Sequence, residues 1–111
     1  MSELKIISKG VLITRKAQIA DSFTKKMFGL INPNQSRFLI INTRFGIHTY
    51  LLKQSIDVIV LNKSFQVVKI KSNLKPNKFY FYNPKYYTVI EMPKHSIEKY
   101  QIKINDKISI A

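Results

Sequence analysis

His48, Asp57 and Glu91 are the side chains of this chain that could act together on a substrate or a metal. One imidazole and two carboxylates form a set suited to a divalent cation or to acid–base catalysis. Alternation along a strand puts His48, Tyr50 and Leu52 on one face and Ile47, Thr49 and Leu51 on the other. Asp57 stands at the entry to the most apolar run of the sequence and shares a face with Ile59 and Leu61, while Glu91 closes another apolar run just before Pro93. Each residue also has a structural reading. His48 can fix a strand end by hydrogen bonding. A buried Asp57 must find donors among backbone amides, Thr49, His48 or a lysine, because an unpaired buried charge does not persist. Glu91 can be a strand-end or lysine-paired carboxylate. These readings are the commoner ones for isolated groups, and spacing alone sets no distance among the three.

A second constellation lies in Lys75-Pro76-Asn77-Lys78-Phe79-Tyr80-Phe81-Tyr82-Asn83-Pro84-Lys85-Tyr86-Tyr87, where lysines and aromatics interleave. Aromatic faces stack on unpaired bases while lysines follow phosphates, which is the chemistry of single-strand binding. Lys75, Lys78, Phe79, Tyr80, Tyr82 and Lys85 are the candidate nucleic-acid or partner-binding residues. The structural alternative is a loop between strands whose aromatics cap one end of a barrel. An exposed aromatic patch around Phe79 and Tyr82 would equally suit a protein partner.

The net charge of +13, from 19 Lys and Arg against 6 Asp and Glu, points the same way, toward a polyanion or an anionic surface. A competing reading is compositional: 16 of the 19 cations are Lys, and Ile, Asn, Phe and Tyr are abundant, as AT-rich codons would supply. Such bias replaces Arg by Lys but does not explain the scarcity of acids. The cations are also spread along the chain, so folding must gather them if they form a patch.

Several classes are excluded or disfavoured. There is no cysteine, hence no disulfide framework, thiol nucleophile, iron–sulfur cluster or Cys-based zinc site. With glycines only at 10, 29 and 46, neither a dinucleotide fingerprint nor a P-loop can be built. The Gly-x-Ser-x-Gly elbow is absent, and His48 and His95 lack the spacing of a helical zinc pair. No cofactor and no metal are expected, and an enzyme of a common class is disfavoured. The N-terminal apolar run is too short for a signal peptide, and nowhere do 18 apolar residues follow one another. A cytoplasmic location without integral membrane association is the expectation.

The elements that must position these residues are mostly strands. Length and a 45% apolar content fit one domain, residues 1–111, with one core. Residues 4–8 and 11–14 read as a hairpin about Lys9-Gly10. Over residues 17–30, Ile19, Phe23 and Met27 recur at helical spacing, with Asp21 or Ser22 as cap and Gly29 as terminator, so a short helix is predicted near the N-terminus. A loop follows at 32–36. Strands are then predicted at 38–41, 47–52, 56–61, 66–71, 88–92 and 107–110. The run 58–61 is apolar on both faces and should be a central, doubly covered strand. In the run after it, Val67, Lys69 and Lys71 should alternate with Val68, Ile70 and Ser72.

Six segments in this order resemble the domain of unknown function 192 family: Phe28-Gly29-Leu30, Ile47-His48-Thr49-Tyr50, Ser55-Ile56-Asp57-Val58-Ile59-Val60-Leu61, Leu74-Lys75-Pro76, Val89-Ile90-Glu91-Met92-Pro93 and Asn105-Asp106-Lys107-Ile108. The resemblance spans nearly the whole chain and implies a compact β-barrel-like or β-roll domain with one helix. It brings no biochemical activity to transfer. Ile31 and Leu52 stand where the family usually has Met, which are packing changes. His95 stands where Gly is expected, so that if φ there is positive a side chain must tolerate it. The functional expectation is a binding or accessory module for an anionic partner such as nucleic acid, or for a protein. The alternative is a small enzyme or metal-binding protein using His48, Asp57 and Glu91.

Overall fold

Lys9 and Gly10 take φ of 52° and 75°, the two left-handed residues that a type I′ hairpin turn requires. They join β1 (Leu4–Ser8) to β2 (Val11–Ala20), with Ser8 opposite Val11, as the sequence predicts. The computed structural model describes residues 4–20, 38–44, 46–49 and 54–111.

Within them β2 runs on through Ala20 and pairs in parallel with β3 (Leu39–Asn42), Gln18 opposite Leu39 and Ile19 opposite Ile40. The helix expected over 17–30 therefore does not begin at 17. Pairing with β3 uses the backbone groups a helix would need, beginning with the Gln18 N–H on the Phe38 carbonyl at 3.1 Å. Ile19, expected on the apolar helix face, is 47% exposed on the strand. Residues 21–30 and the predicted loop at 32–36 lie outside the described residues. The helix seen among the described residues is instead α1 (Ser96–Lys99), near the C-terminus.

The remaining strands are β4 (Gly46–His48), β5 (Ile56–Leu61), β6 (Val67–Leu74), β7 (Phe79–Phe81), β8 (Thr88–Pro93) and β9 (Ile108–Ile110). A seven-stranded sheet runs in the order β6-β5-β8-β3-β2-β1-β9, and every neighbouring pair except β2 with β3 is antiparallel. It curls into a half-barrel. A single bridge between Gln66 and Lys107 brings its two edges together at one end. β4 and β7 form a separate antiparallel ribbon. β7 falls in the stretch read from sequence as a possible loop.

Two apolar clusters flank β5 and β8. The barrel interior holds Ile6, Ile13, Ala17, Ile40, Ile59, Leu61, Val67, Ile90, Met92, Ile102 and Ile108. On the opposite face Val58, Val60, Ile56 and Val89 pack with Ile47, Leu74 and Tyr82, beneath the ribbon. Every residue of β5 is buried, so the strand is doubly covered as its sequence predicts.

β6 departs from simple alternation. Register shifts against β5 at both ends place Lys69 opposite Val60 and Lys71 opposite Val58, on the ribbon side, whereas Val67 packs in the barrel with Ile70. An extra residue in a strand inverts the facing of all that follow. The expected sharing of one face by Val67, Lys69 and Lys71 is thus broken. Both lysines turn toward the ribbon.

Candidate functional site

Two buried polar side chains fix the segment that follows β6. Asp57 is opposite Met92, so it points to the barrel side, where it is 2% exposed. Its Oδ1 accepts the Asn73 N–H at 3.0 Å and its Oδ2 accepts the Ile97 N–H at 2.9 Å. The Asn73 amide sits at the second register shift, in a residue with φ of 56°. A bulge frees an amide from the ladder, and the carboxylate takes it. The same carboxylate ties down the first turn of α1, which follows His95 at φ 75°. His95 thus occupies a left-handed position where the family pattern has Gly.

Thr49, fully buried at the end of β4, holds the other end of the segment. Its Oγ1 donates to the Lys75 carbonyl at 2.7 Å and accepts the Lys78 N–H at 2.8 Å. Its backbone N–H donates to the Lys78 carbonyl at 2.8 Å, and its carbonyl accepts the Asn77 N–H at 2.9 Å. Residues 73–78 are therefore anchored at both ends by buried hydrogen bonds.

What this segment carries is charge. Lys71, Asn73, Leu74, Lys75, Lys78, Phe79 and Tyr80 line an open pocket of about 370 Å³. Among the described residues no carboxylate lines it. Between Val58 and Ile90 the chain has six lysines and no Asp or Glu, and the flanking acids Asp57 and Glu91 are buried. Asp106, by contrast, pairs with Lys9 at 3.2 Å. Cationic residues lining one hollow attract an anion, and a bound anion screens their mutual repulsion.

The ribbon supplies the aromatics. Its register sets Gly46 opposite Phe81, Ile47 opposite Tyr80 and His48 opposite Phe79. A Cβ on Gly46 would lie 2.5 Å from the Tyr80 carbonyl oxygen, so only glycine allows β4 and β7 this close. Ile47 and Tyr80 face the sheet. His48, Phe79 and Phe81 face outward, and Phe79 and Phe81 are 54% and 66% exposed. Their rings lie 5.7 Å apart and 9° from parallel, and His48 meets Phe79 edge-on at 6.2 Å. Lys69 donates to the Phe81 carbonyl at 3.2 Å and sits 5.0 Å from the centre of the Tyr80 ring.

Of the residues singled out from sequence, Lys75, Lys78, Phe79 and Tyr80 converge here. Tyr82 is buried and donates its hydroxyl to the Thr43 carbonyl. Lys85 instead lies over the Tyr86 ring, at 5.2 Å. Burial pushes the Tyr80 hydroxyl up to about 12, and burial, with the nearby Glu91 charge second, does the same to Tyr82, also to about 12. Lys71, Asn73 and Phe81 were missed. Phe81 had a signal, since it alternates with Tyr80 next to Phe79, but Lys71 joins only because of the bulge.

His48, Asp57 and Glu91 are not brought together. Glu91 is opposite Val58, on the ribbon side, and Asp57 is opposite Met92, on the barrel side, so one sheet separates their carboxylates. His48 lies on the outward face of the ribbon, opposite Phe79. Among the described residues no group of three or more His, Asp or Glu side chains is placed to hold a metal ion.

The family model of DUF192, described as "Uncharacterized ACR", matches residues 5–110. The chain belongs to the DUF192 family. It is 35% identical to a UPF0127 protein of Thermococcus sibiricus over 108 residues, which is 91% of this chain and 70% of that protein. It is 30% identical to a UPF0127 protein of Pyrococcus furiosus over 108 residues, covering 92% of each. In fold it is similar to a protein of unknown function from Novosphingobium aromaticivorans, with a TM-score of 0.74, 14% identity, and coverage of 96% of this chain and 83% of that one. A putative transcription regulator of Sinorhizobium meliloti superimposes with a TM-score of 0.72 at 9% identity, covering 96% and 91%. At such identities the likeness is one of fold. Thr49 and Asp57, which anchor the pocket segment, both lie in segments through which the sequence resembles the DUF192 family.

Proposed function

We propose that this DUF192 protein is a binding module for a phosphate-bearing polyanion, which docks in the pocket lined by Lys71, Lys75 and Lys78. The observation that carries this reading is the convergence of Lys71, from β6, with Lys75 and Lys78, from the segment anchored by Thr49 and Asp57, on one pocket. The net charge of +13 supports it by drawing anions to the molecule from a distance. The separation of His48, Asp57 and Glu91 speaks against the metal or acid–base alternative.

The test uses a fluorescein-labelled abasic oligodeoxynucleotide, which offers phosphates without bases, followed by anisotropy at several salt concentrations. Neutralising about three phosphates should make log affinity fall linearly with log salt, at a slope of about −2 for a single strand. Replacing Lys71, Lys75 and Lys78 together by Ala should flatten most of that slope. An affinity independent of salt, or unchanged in the triple variant, overturns the proposal. The exposed Phe79 and Phe81 favour a second reading, a protein partner. Binding of a protein that survives the triple lysine replacement would support it.

A further inference from the structure

We infer that the polyanion is a single-stranded nucleic acid, with its phosphates in the lysine pocket and an unpaired base stacked on the outward Phe79 and Phe81 rings. The inference rests on the polyanion reading and adds the chemistry of the ligand's uncharged part. Lysines alone would suit polyphosphate, a sulfated polysaccharide or a duplex equally. Here, however, Phe79 lines the pocket while stacking on Phe81, so cationic and aromatic surfaces are continuous. A phosphate chain held at Lys71 and Lys78 would carry its attached bases within reach of those rings.

Geometry narrows the mode. A base inserted between two rings needs two stacking intervals, about 6.8 Å in total from the roughly 3.4 Å base rise. The ring centres are 5.7 Å apart, so the pair is closed to insertion and acts as a preformed stack that a base extends. The two rings are near-parallel, at 9°, and Phe81 is 66% exposed, so a base can reach it. Duplex bases already stack on their neighbours and have no free face to offer, so this surface should discriminate against them. Gly46 keeps the ribbon tight opposite Phe81, and the Lys69 bond to the Phe81 carbonyl holds the strand from the other side.

The experiment compares four probes of equal length with the full chain: labelled oligo-dT, its abasic counterpart, a duplex and inorganic polyphosphate used as a competitor. Oligo-dT should bind about tenfold more tightly than the abasic strand and than the duplex, in line with one base stacked on an aromatic ring. Phe81→Ala should remove that advantage, bringing oligo-dT to the affinity of the abasic strand. Phe81→Leu should also lose it, whereas Phe81→Tyr should keep it, which separates stacking from simple apolar contact. If oligo-dT and the abasic strand bind alike, or the duplex binds as tightly, the stacking inference fails and the polyanion reading stands. If polyphosphate and the abasic strand both fail to bind, the polyanion reading itself has failed. Loss of the advantage in Phe81→Ala but not in Phe81→Leu would assign Phe81 to an apolar contact and overturn base stacking.

Discussion

On the barrel side of β5 and β8, Ile59, Leu61 and Ile90 are fully buried and Met92 is 1% exposed, and the buried Asp57 has both carboxylate oxygens bonded to backbone amides. On the ribbon side, Val58, Val60 and Val89 are as deeply buried, yet the layer above them contains Tyr80, Tyr82, Glu91 and Thr49 and ends in exposed Phe79 and Phe81. The same two strands thus serve as a wall of a dry interior and as the floor of a polar, charged surface layer. The apolar side chains of the interior contribute stability. A thin second layer held by hydrogen bonds can be altered at its surface without unfolding what lies below, and that is where the lysines and outward rings stand.

The contrast can be broken or sharpened by substitution. Ile90→Ala should have the largest effect, lowering unfolding free energy by about 4 kcal/mol through lost burial and a cavity in the barrel. Urea denaturation would show it, and anisotropy on the abasic strand at low temperature should show unchanged affinity. A large affinity loss in folded protein would break the division between the two sides. Asp57→Ala should cost about 3 kcal/mol, because it leaves the Asn73 and Ile97 amides without their acceptor. Since one of those amides belongs to the pocket rim, this barrel-side change should also weaken polyanion binding, and amide exchange at Asn73 should accelerate.

Thr49→Val keeps the shape but removes the hydroxyl between Lys75 and Lys78, for a loss of about 2 kcal/mol. Thr49→Ser should recover most of it. Equal melting temperatures for the Val and Ser variants would show that the hydroxyl does not hold the loop. His95→Gly should stabilise the protein by about 1 kcal/mol, since His95 sits at φ 75° where a Cβ is strained. A lower melting temperature would show that the imidazole makes contacts outweighing that strain.

The last effect appears only in alkali. Tyr80 and Tyr82 ionise near 12 in the folded protein, against about 10 when unfolded. The raised folded value means that their contribution is fully present below pH 10 and is lost as pH rises through 12, because the unfolded chain gives up its protons first. Absorbance at the phenolate band should show two tyrosines titrating late. If all six tyrosines titrate near 10, the ribbon layer is open to water.

Some of this was legible without coordinates. The run Val58-Ile59-Val60-Leu61 declares a doubly covered strand, because only a strand with cover on both sides can hide consecutive apolar residues. Lys9-Gly10 declares a hairpin by its backbone preferences. Local signals misled where pairing competed with them: Ile19 fits a helical period with Phe23 and Met27, but β3 offered it a ladder. Phe79, Tyr80 and Phe81, set between Pro76 and Pro84, resembled a loop because β7 is only three residues long and is made a strand by β4.

Residue order alone carries the β1–β2 hairpin, the doubly covered β5, the shortage of acids and the mingling of lysines with aromatics in residues 75–87. All of these are properties of neighbours along the chain. Only the tertiary structure decided that Asp57 and Glu91 stand on opposite faces, that Lys69 and Lys71 swing to the ribbon, and that Lys71, Lys75, Lys78 and Phe79 meet at one pocket. Facing depends on register and bulges, and a one-residue shift between distant strands reverses it while leaving every local pattern intact.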